Sequence, residues 1–99
     1  MKITFQKNSI TVQNDQQRIL ARLTYFRLPS QKWLIEQVFA ISPQALKRTL
    51  RPLIKAFFTK IPHQSHCVRI LDPFVRSDLR DRSIYQEYLY KNSGEQASE

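Results

Sequence analysis

The segment Ala40-Ile41-Ser42-Pro43-Gln44-Ala45-Leu46-Lys47-Arg48-Thr49-Leu50 carries the clearest local signal in the sequence, the start of a helix. Ser42 can accept a hydrogen bond from the first free amides of a helix, and Pro43 suits the first helical position, where no N–H is needed. The apolar residues that follow are spaced by three and four, as on one face of an α-helix: Leu46, Leu50, Leu53, Ile54, Phe57 and Phe58. These features predict a helix over residues 43–57.

The opposite face of this predicted helix is polar and basic. Its members are Gln44, Lys47, Arg48, Arg51 and Lys55. The sequence has no acidic residue between Glu36 and Asp72 to balance these charges. Pro52 lies inside the pattern, and its ring removes one helical hydrogen bond. We therefore expect either one helix that is kinked at Pro52 or a new helix that begins there.

A second apolar run precedes the turn. Ser30 is a suitable N-cap, and the apolar residues from Trp33 to Phe39 have polar residues between them, which predicts another short helix. Two short helices joined by a three-residue turn form a helix-turn-helix. Residues 33–53 resemble the recognition segment of winged-helix and related helix-turn-helix DNA-binding families. In those families a small residue, an apolar residue and a Ser precede a helix with the pattern of Leu46-Lys47-Arg48-Thr49-Leu50.

This resemblance implies binding to double-stranded DNA, with the N-terminal end of the helix in the major groove. Gln44 and Arg48 are the expected contacts to base edges, because Gln can form two hydrogen bonds to adenine and Arg can form two to guanine. Lys47, Arg51 and Lys55 are the expected contacts to phosphates.

Two further phosphate contacts are expected outside this basic face. The first-turn amides beside Ser42 form an anion site at the helix N-terminus. Residues 67–71 predict a strand, and a winged-helix protein places a β-hairpin after its recognition helix. Residues 67–71 followed by 74–76 would form such a hairpin, with Arg69 or Arg76 reaching a phosphate. The alternative is that residues 67–71 are a third strand that pairs with a hairpin at the N-terminus.

The remaining segments complete the prediction of a mainly helical α+β fold. Residues 2–6 and 9–13 alternate apolar and polar side chains and predict a β-hairpin. A helix over residues 14–26, capped by Asn14 or Asp15, would be the first of a three-helix core.

A last helix is predicted over residues 77–90. Its tyrosines either form the surface of a homodimer or close the core of the monomer. These are Tyr85, Tyr88 and Tyr90. Residues 92–99 are polar and are expected to be disordered, so that residues 1–91 form a single domain.

The charge of the chain favours a polyanionic partner. The 99 residues hold 16 Lys and Arg against 8 Asp and Glu, a net charge of +8, and the sequence pI is about 10.1. Residues 1–71 carry twelve basic and two acidic side chains, whereas residues 72–99 carry four basic and six acidic ones. The excess therefore surrounds the predicted helix-turn-helix.

Composition excludes several classes of protein. One Gly makes a glycine-rich phosphate loop implausible, and one Cys cannot form an internal disulfide. The sequence shows no signal peptide and no apolar run of membrane-spanning length, so we expect a cytoplasmic protein, associated with the nucleoid if it binds DNA, and no membrane partner.

A metal site and an active site are not expected. His63, His66 and Cys67 are three potential ligands, but a structural zinc site needs a fourth, and only a carboxylate such as Asp72 could supply it. His66 and Cys67 are adjacent on a predicted strand and would point to opposite faces, which argues against a Cys and His catalytic pair. We expect no cofactor.

The sequence therefore predicts a non-enzymatic DNA-binding protein, a small transcriptional regulator or an accessory factor of a replication or mobile element. It would use the basic face of helix 43–57. The alternative is a small adaptor that docks the same face on an acidic protein or on RNA.

Overall fold

The computed structural model describes residues 1–90, which form five strands and two α-helices. In chain order these are β1 (Lys2–Phe5), β2 (Ser9–Gln13), β3 (Ile19–Leu28), β4 (Lys32–Ala40), α1 (Pro43–Lys60), β5 (Val68–Ile70) and α2 (Pro73–Arg82). One mixed sheet has the order β1-β2-β3-β4-β5, with only β4 and β5 parallel. The fold is α+β with the sheet leading, so the prediction of a mainly helical fold with a three-helix core is wrong.

The N-terminal hairpin is confirmed. β1 and β2 pair in antiparallel register, with Ile3 opposite Val12 and Phe5 opposite Ile10. These four apolar side chains therefore share one face of the sheet, as their alternation predicted. The predicted tail, residues 92–99, lies outside the described residues.

The predicted helix over residues 14–26 is wrong, because this segment is a turn followed by β3. The side-chain oxygen of Asn14 accepts hydrogen bonds from the backbone N–H groups of Gln16 (2.9 Å) and Arg18 (3.0 Å). The side-chain oxygen that suggested a helix cap therefore stabilises the turn between β2 and β3 instead. Along β3, buried side chains then alternate with outward ones, and the buried ones are Ala21, Leu23 and Tyr25.

The predicted helix over residues 33–39 is also wrong, because these residues lie in β4. Ile35 pairs with Tyr25 and Gln37 with Thr24, so Glu36 is an extra residue in the strand, a β-bulge. The bulge places Ile35 and Val38 on the same face although they are three residues apart, and this spacing imitates a helix. Residues 33–53 are therefore a strand, a turn and a helix, and the helix-turn-helix is absent from them.

α1 begins where the sequence predicted. The Ser42 hydroxyl oxygen accepts a hydrogen bond from the N–H of Ala45 at 3.0 Å, and the helix continues as one element through Pro52 to Lys60. It packs on β2, β3 and β4. The ring of Phe57 lies 5.3 Å from that of Tyr25. The buried side of α1 consists of Ala45, Thr49, Leu53, Ile54, Phe57 and Phe58.

β5 has neither of the two pairings that the sequence suggested. It forms no wing, and it does not pair with the N-terminal hairpin. Instead it lies parallel to β4, with Leu34 opposite Arg69 and Ile35 opposite Ile70. Parallel neighbours need a crossover connection, which α1 provides.

α2 is shorter and begins earlier than the predicted last helix. Asp72 caps it by accepting hydrogen bonds from the N–H groups of Phe74 (2.8 Å) and Val75 (2.9 Å). Val75 and Leu79 of α2 join the same buried core as Phe57 of α1. Both helices therefore lie on one face of the sheet.

The residues after α2 fold back onto α1. The ring of Tyr85 stacks on that of Phe58 with 4.3 Å between centroids, and the ring of Tyr88 meets the same phenylalanine edge-on at 4.9 Å. These contacts favour the interpretation in which both tyrosines close the core of the monomer.

Candidate nucleic-acid interface

The side of α1 that faces away from the sheet carries five of the predicted site residues. All five are exposed: Gln44, Lys47, Arg48, Arg51 and Lys55. Their spacing places them opposite the buried side of the helix. We call this set the α1 basic face. The 18 residues of α1 include no acid, so no residue of the helix itself offsets these charges.

One neighbour of the α1 basic face is acidic. The Nε atom of Arg51 lies 3.1 Å from Oδ1 of Asp78 in α2, and Nη2 of Arg82 lies 2.7 Å from the other oxygen. The Asp78 side chain is 9% exposed, so it is shielded from water. One carboxylate therefore accepts hydrogen bonds from two guanidinium groups.

The other three cations of the α1 basic face differ from Arg51. Among residues 1–90, Lys47, Arg48 and Lys55 take part in no ion pair within 4.0 Å. Their charges are available to a ligand without breaking an internal contact. This makes them the strongest candidates for binding phosphates.

A groove adjoins the C-terminal half of this face. It has a volume of about 780 Å³ and is open to solvent. Its lining is largely apolar, with Ile3, Phe5, Pro52, Ala56, Ile84 and Tyr85, and it carries three cations, Arg51, Lys55 and Arg82. A groove of this size with an apolar lining and cations is suited to an anion that has an apolar or aromatic part.

The N-terminus of α1 is less open than the sequence suggested. The N–H of Ala45 donates to Ser42 Oγ, and that of Leu46 donates to the Ser42 carbonyl oxygen at 3.0 Å. Pro43 has no N–H to offer. The structure thus places Ser42 at the end of the α1 basic face as a helix cap, with two of the nearby amides already used within the helix.

Arg69 lies apart from the other predicted site residues. It stands on β5, where the alternation of the strand directs it to the face of the sheet opposite α1. Its guanidinium carbon is 5.4 Å from the ring centroid of Tyr90, and Nζ of Lys32 is 4.8 Å from the same ring. Arg69 therefore belongs to a different surface.

Sequence reasoning missed Asp78 and Arg82. They are four residues apart on α2, a spacing that allows an ion pair, but mixed charges at such a spacing are also typical of a solvent-exposed helix. What brings them to the α1 basic face is the packing of α2 beside α1. No local pattern in the sequence indicates that α1 and α2 pack side by side.

His63 and His66 have separate partners, and Cys67 is a free, buried thiol. Nε2 of His63 lies 3.0 Å from a carboxylate oxygen of Glu87, and Nδ1 of His66 lies 2.9 Å from the carbonyl oxygen of Leu89. Cys67 is buried, and burial raises the pKa of its thiol. In residues 1–90 no three His, Cys, Asp or Glu side chains are grouped so that they could hold a metal ion.

Comparison with known proteins and a search for membrane-spanning helices both gave negative results. The chain matches no protein-family model, no curated protein and no solved structure. Within the part of the chain that is described, no helix combines the length and the apolar character needed to cross a membrane.

Proposed function

We propose that this protein is a non-enzymatic nucleic-acid-binding protein that holds the phosphates of duplex DNA on the α1 basic face. The observation that carries the proposal is the exposure of Lys47, Arg48 and Lys55 on one side of a helix that contains no acid. The net charge of +8 adds long-range attraction to a polyanion.

The geometry favours contacts to phosphates over reading of bases. α1 packs along three strands of the sheet, so only its outer side can meet a ligand. Gln44 near its N-terminal end remains the candidate for base edges, and Arg48, which the sequence predicted to contact bases, is here proposed to contact a phosphate. A role as a transcriptional regulator or accessory factor rested on the resemblance to helix-turn-helix families, so the proposal is limited to binding itself.

The test is a fluorescence-anisotropy titration of labelled random-sequence duplex DNA at several salt concentrations. The variant Lys47→Ala/Arg48→Ala/Lys55→Ala is compared with Lys7→Ala/Arg18→Ala/Arg80→Ala, which removes the same charge from exposed positions elsewhere. We expect the first variant to bind more weakly and to reduce the slope of log K against log salt by about 3, since each phosphate contact contributes about 0.9.

Two results would contradict the proposal. The first is equal weakening by both triple variants, which would show that net charge alone matters. The second is the absence of binding by the wild type at low salt, which would leave an acidic protein as the candidate partner of this face.

A further inference from the structure

The face of the sheet opposite the two helices exposes aromatic side chains. In residues 1–90 both α-helices pack on the face that contains Tyr25 and Ile35. On the opposite face Phe26 is 40% exposed and Phe39 is 60% exposed. Burying a phenylalanine is normally favourable, so each exposed ring is a candidate contact for a ligand.

The register of the strands places two arginines on the same face of the sheet as the two rings. Phe39 on β4 pairs with Arg22 on β3. Phe26 on β3 pairs with Leu34 on β4, and Leu34 pairs in turn with Arg69 on β5. Phe39 thus has an arginine as its direct cross-strand neighbour, whereas Arg69 lies two strands from Phe26 in the same row, with its guanidinium over the ring of Tyr90.

The positive charge of this face favours a polyanionic ligand over a second copy of the protein. Glu36 is the only acidic residue in the five described strands, and it accepts a hydrogen bond from the Thr24 hydroxyl at 2.9 Å. A second copy of this chain would bring Arg22 and Arg69 towards like charges on a partner that also has a net charge of +8. Self-association through this face is therefore disfavoured, whereas a polyanion is attracted.

A polyanion that also uses the rings must present flat apolar groups. The bases of single-stranded DNA or RNA do so, because their faces are free to stack on aromatic side chains, whereas duplex bases already stack on each other. Arg22 and Phe26 are four residues apart along β3, about 13 Å at ~3.3 Å per residue. A short single strand can span that distance.

We propose that the open face of the sheet binds single-stranded nucleic acid, with bases stacked on Phe26 and Phe39 and phosphates held by Arg22 and Arg69. This site goes beyond the function proposed above, since it lies on the other side of the sheet from the α1 basic face and takes a different form of nucleic acid.

The test compares two labelled probes, an oligothymidine of about twelve nucleotides and an abasic strand of the same length and charge, in anisotropy titrations. The variant Phe26→Leu/Phe39→Leu keeps apolar side chains but removes the rings. We expect it to bind oligothymidine about tenfold or more weakly while its affinity for duplex DNA changes by less than about twofold. Phe26→Trp/Phe39→Trp should restore binding, and the abasic strand should bind wild type and both variants alike. Phe74→Leu, an equally exposed phenylalanine at the start of α2, is the matched control.

The outcomes separate this inference from the proposed function. If oligothymidine binds the leucine variant as it binds wild type, or if wild type prefers the abasic strand, the open face is not a stacking surface. Loss of oligothymidine binding in the triple variant of α1, with no loss in the leucine variant, would assign both ligands to the α1 basic face. Dimerisation of the wild type in sedimentation equilibrium that is lost in the leucine variant would make the face a protein interface and overturn the proposal.

Discussion

The backbone N–H of Val38 donates a hydrogen bond to Oδ2 of Asp72 at 2.8 Å, and so joins β4 to the start of α2. The other carboxylate oxygen caps α2. Asp72 is only 4% exposed. Because β5 ends at Ile70 while β4 continues to Ala40, the carboxylate supplies an acceptor to β4 beyond the end of the neighbouring strand.

Asp72→Ala should therefore be strongly destabilising. It leaves three backbone donors without their acceptor, and we expect the free energy of unfolding to fall by about 3 kcal/mol. Asp72→Asn keeps one carbonyl oxygen and should cost clearly less. Urea denaturation measures both, with Asp81→Ala as a control at a side chain that is 70% exposed. Equal costs for Asp72→Ala and Asp81→Ala would refute this role of the carboxylate.

Asp78→Asn should strengthen binding of duplex DNA. The substitution removes the negative charge that holds Arg51 and Arg82, so both guanidinium groups become available to phosphates. We expect an affinity gain of about twofold or more at low salt. Anisotropy titrations measure it, and Asp81→Asn is the matched control because it makes the same change of charge on the same helix. A gain of the same size in the control would mean that net charge, and not the release of the two arginines, is responsible.

Tyr25→Phe should leave stability unchanged or increase it by up to about 1 kcal/mol. The Tyr25 hydroxyl is buried and has no hydrogen-bond partner among residues 1–90, so its removal relieves an uncompensated loss of hydration. The ring must stay, because it packs against Phe57 and Trp33. Tyr25→Ala is the contrasting variant and should cost about 3 to 5 kcal/mol in urea denaturation. A marked loss of stability in Tyr25→Phe would reveal a hydrogen bond of that hydroxyl.

The stability of the protein should decline in alkaline solution because of Cys67. Burial is the main cause that raises the pKa of its thiol above the usual 9.0, against the opposing effects of a backbone hydrogen bond and of Lys32. As the pH rises through 9.0, the unfolded thiol loses its proton at a lower pH than the folded one, because the folded thiol has the higher pKa. The folded state then binds more protons, so the free energy of unfolding is unaffected below this pH and falls as the pH rises through it.

The measurement is urea denaturation at a series of pH values from about 7 to 11. Cys67→Ala should flatten the decline between pH 9.0 and 10.0. Burial also raises the pKa of Tyr25 above its usual 10.0, which adds a decline of the same sign at higher pH, and Tyr25→Phe removes that part. An unchanged pH profile in Cys67→Ala would show that another group is responsible.

The fold could be predicted from the sequence where a local residue pattern is compatible with one type of element, and it could not where the pattern suits both a helix and a turn or strand. Ser42-Pro43 is followed by apolar residues at helical spacing, so both signals predict the same helix, and α1 begins there. Asn14 and Ser30 are equally good in turns and at caps, and both lie in turns between strands. At Glu36 the bulge changed the period of β4, so a pattern based on spacing alone predicted a helix for a strand.

The candidate site was predictable only in part for a related reason. The apolar periodicity of α1 is enough to place Gln44, Lys47 and Arg48 on its outer side. The contributions of Asp78 and Arg82 depend on which helices become neighbours, and the exposure of Phe26 and Phe39 depends on both helices covering the same face of the sheet. These are properties of tertiary packing, which a single sequence does not record locally.

During synthesis the four antiparallel strands leave the ribosome before the helix that covers them. In these four strands, the face that contains Ile10, Leu23 and Tyr25 is not covered by a helix until the 18 residues of α1 have also been synthesised. At about 5 to 20 residues per second that interval lasts about 1 to 4 s. Throughout it, both faces of β1–β4 lack the helices that cover one of them in the folded protein.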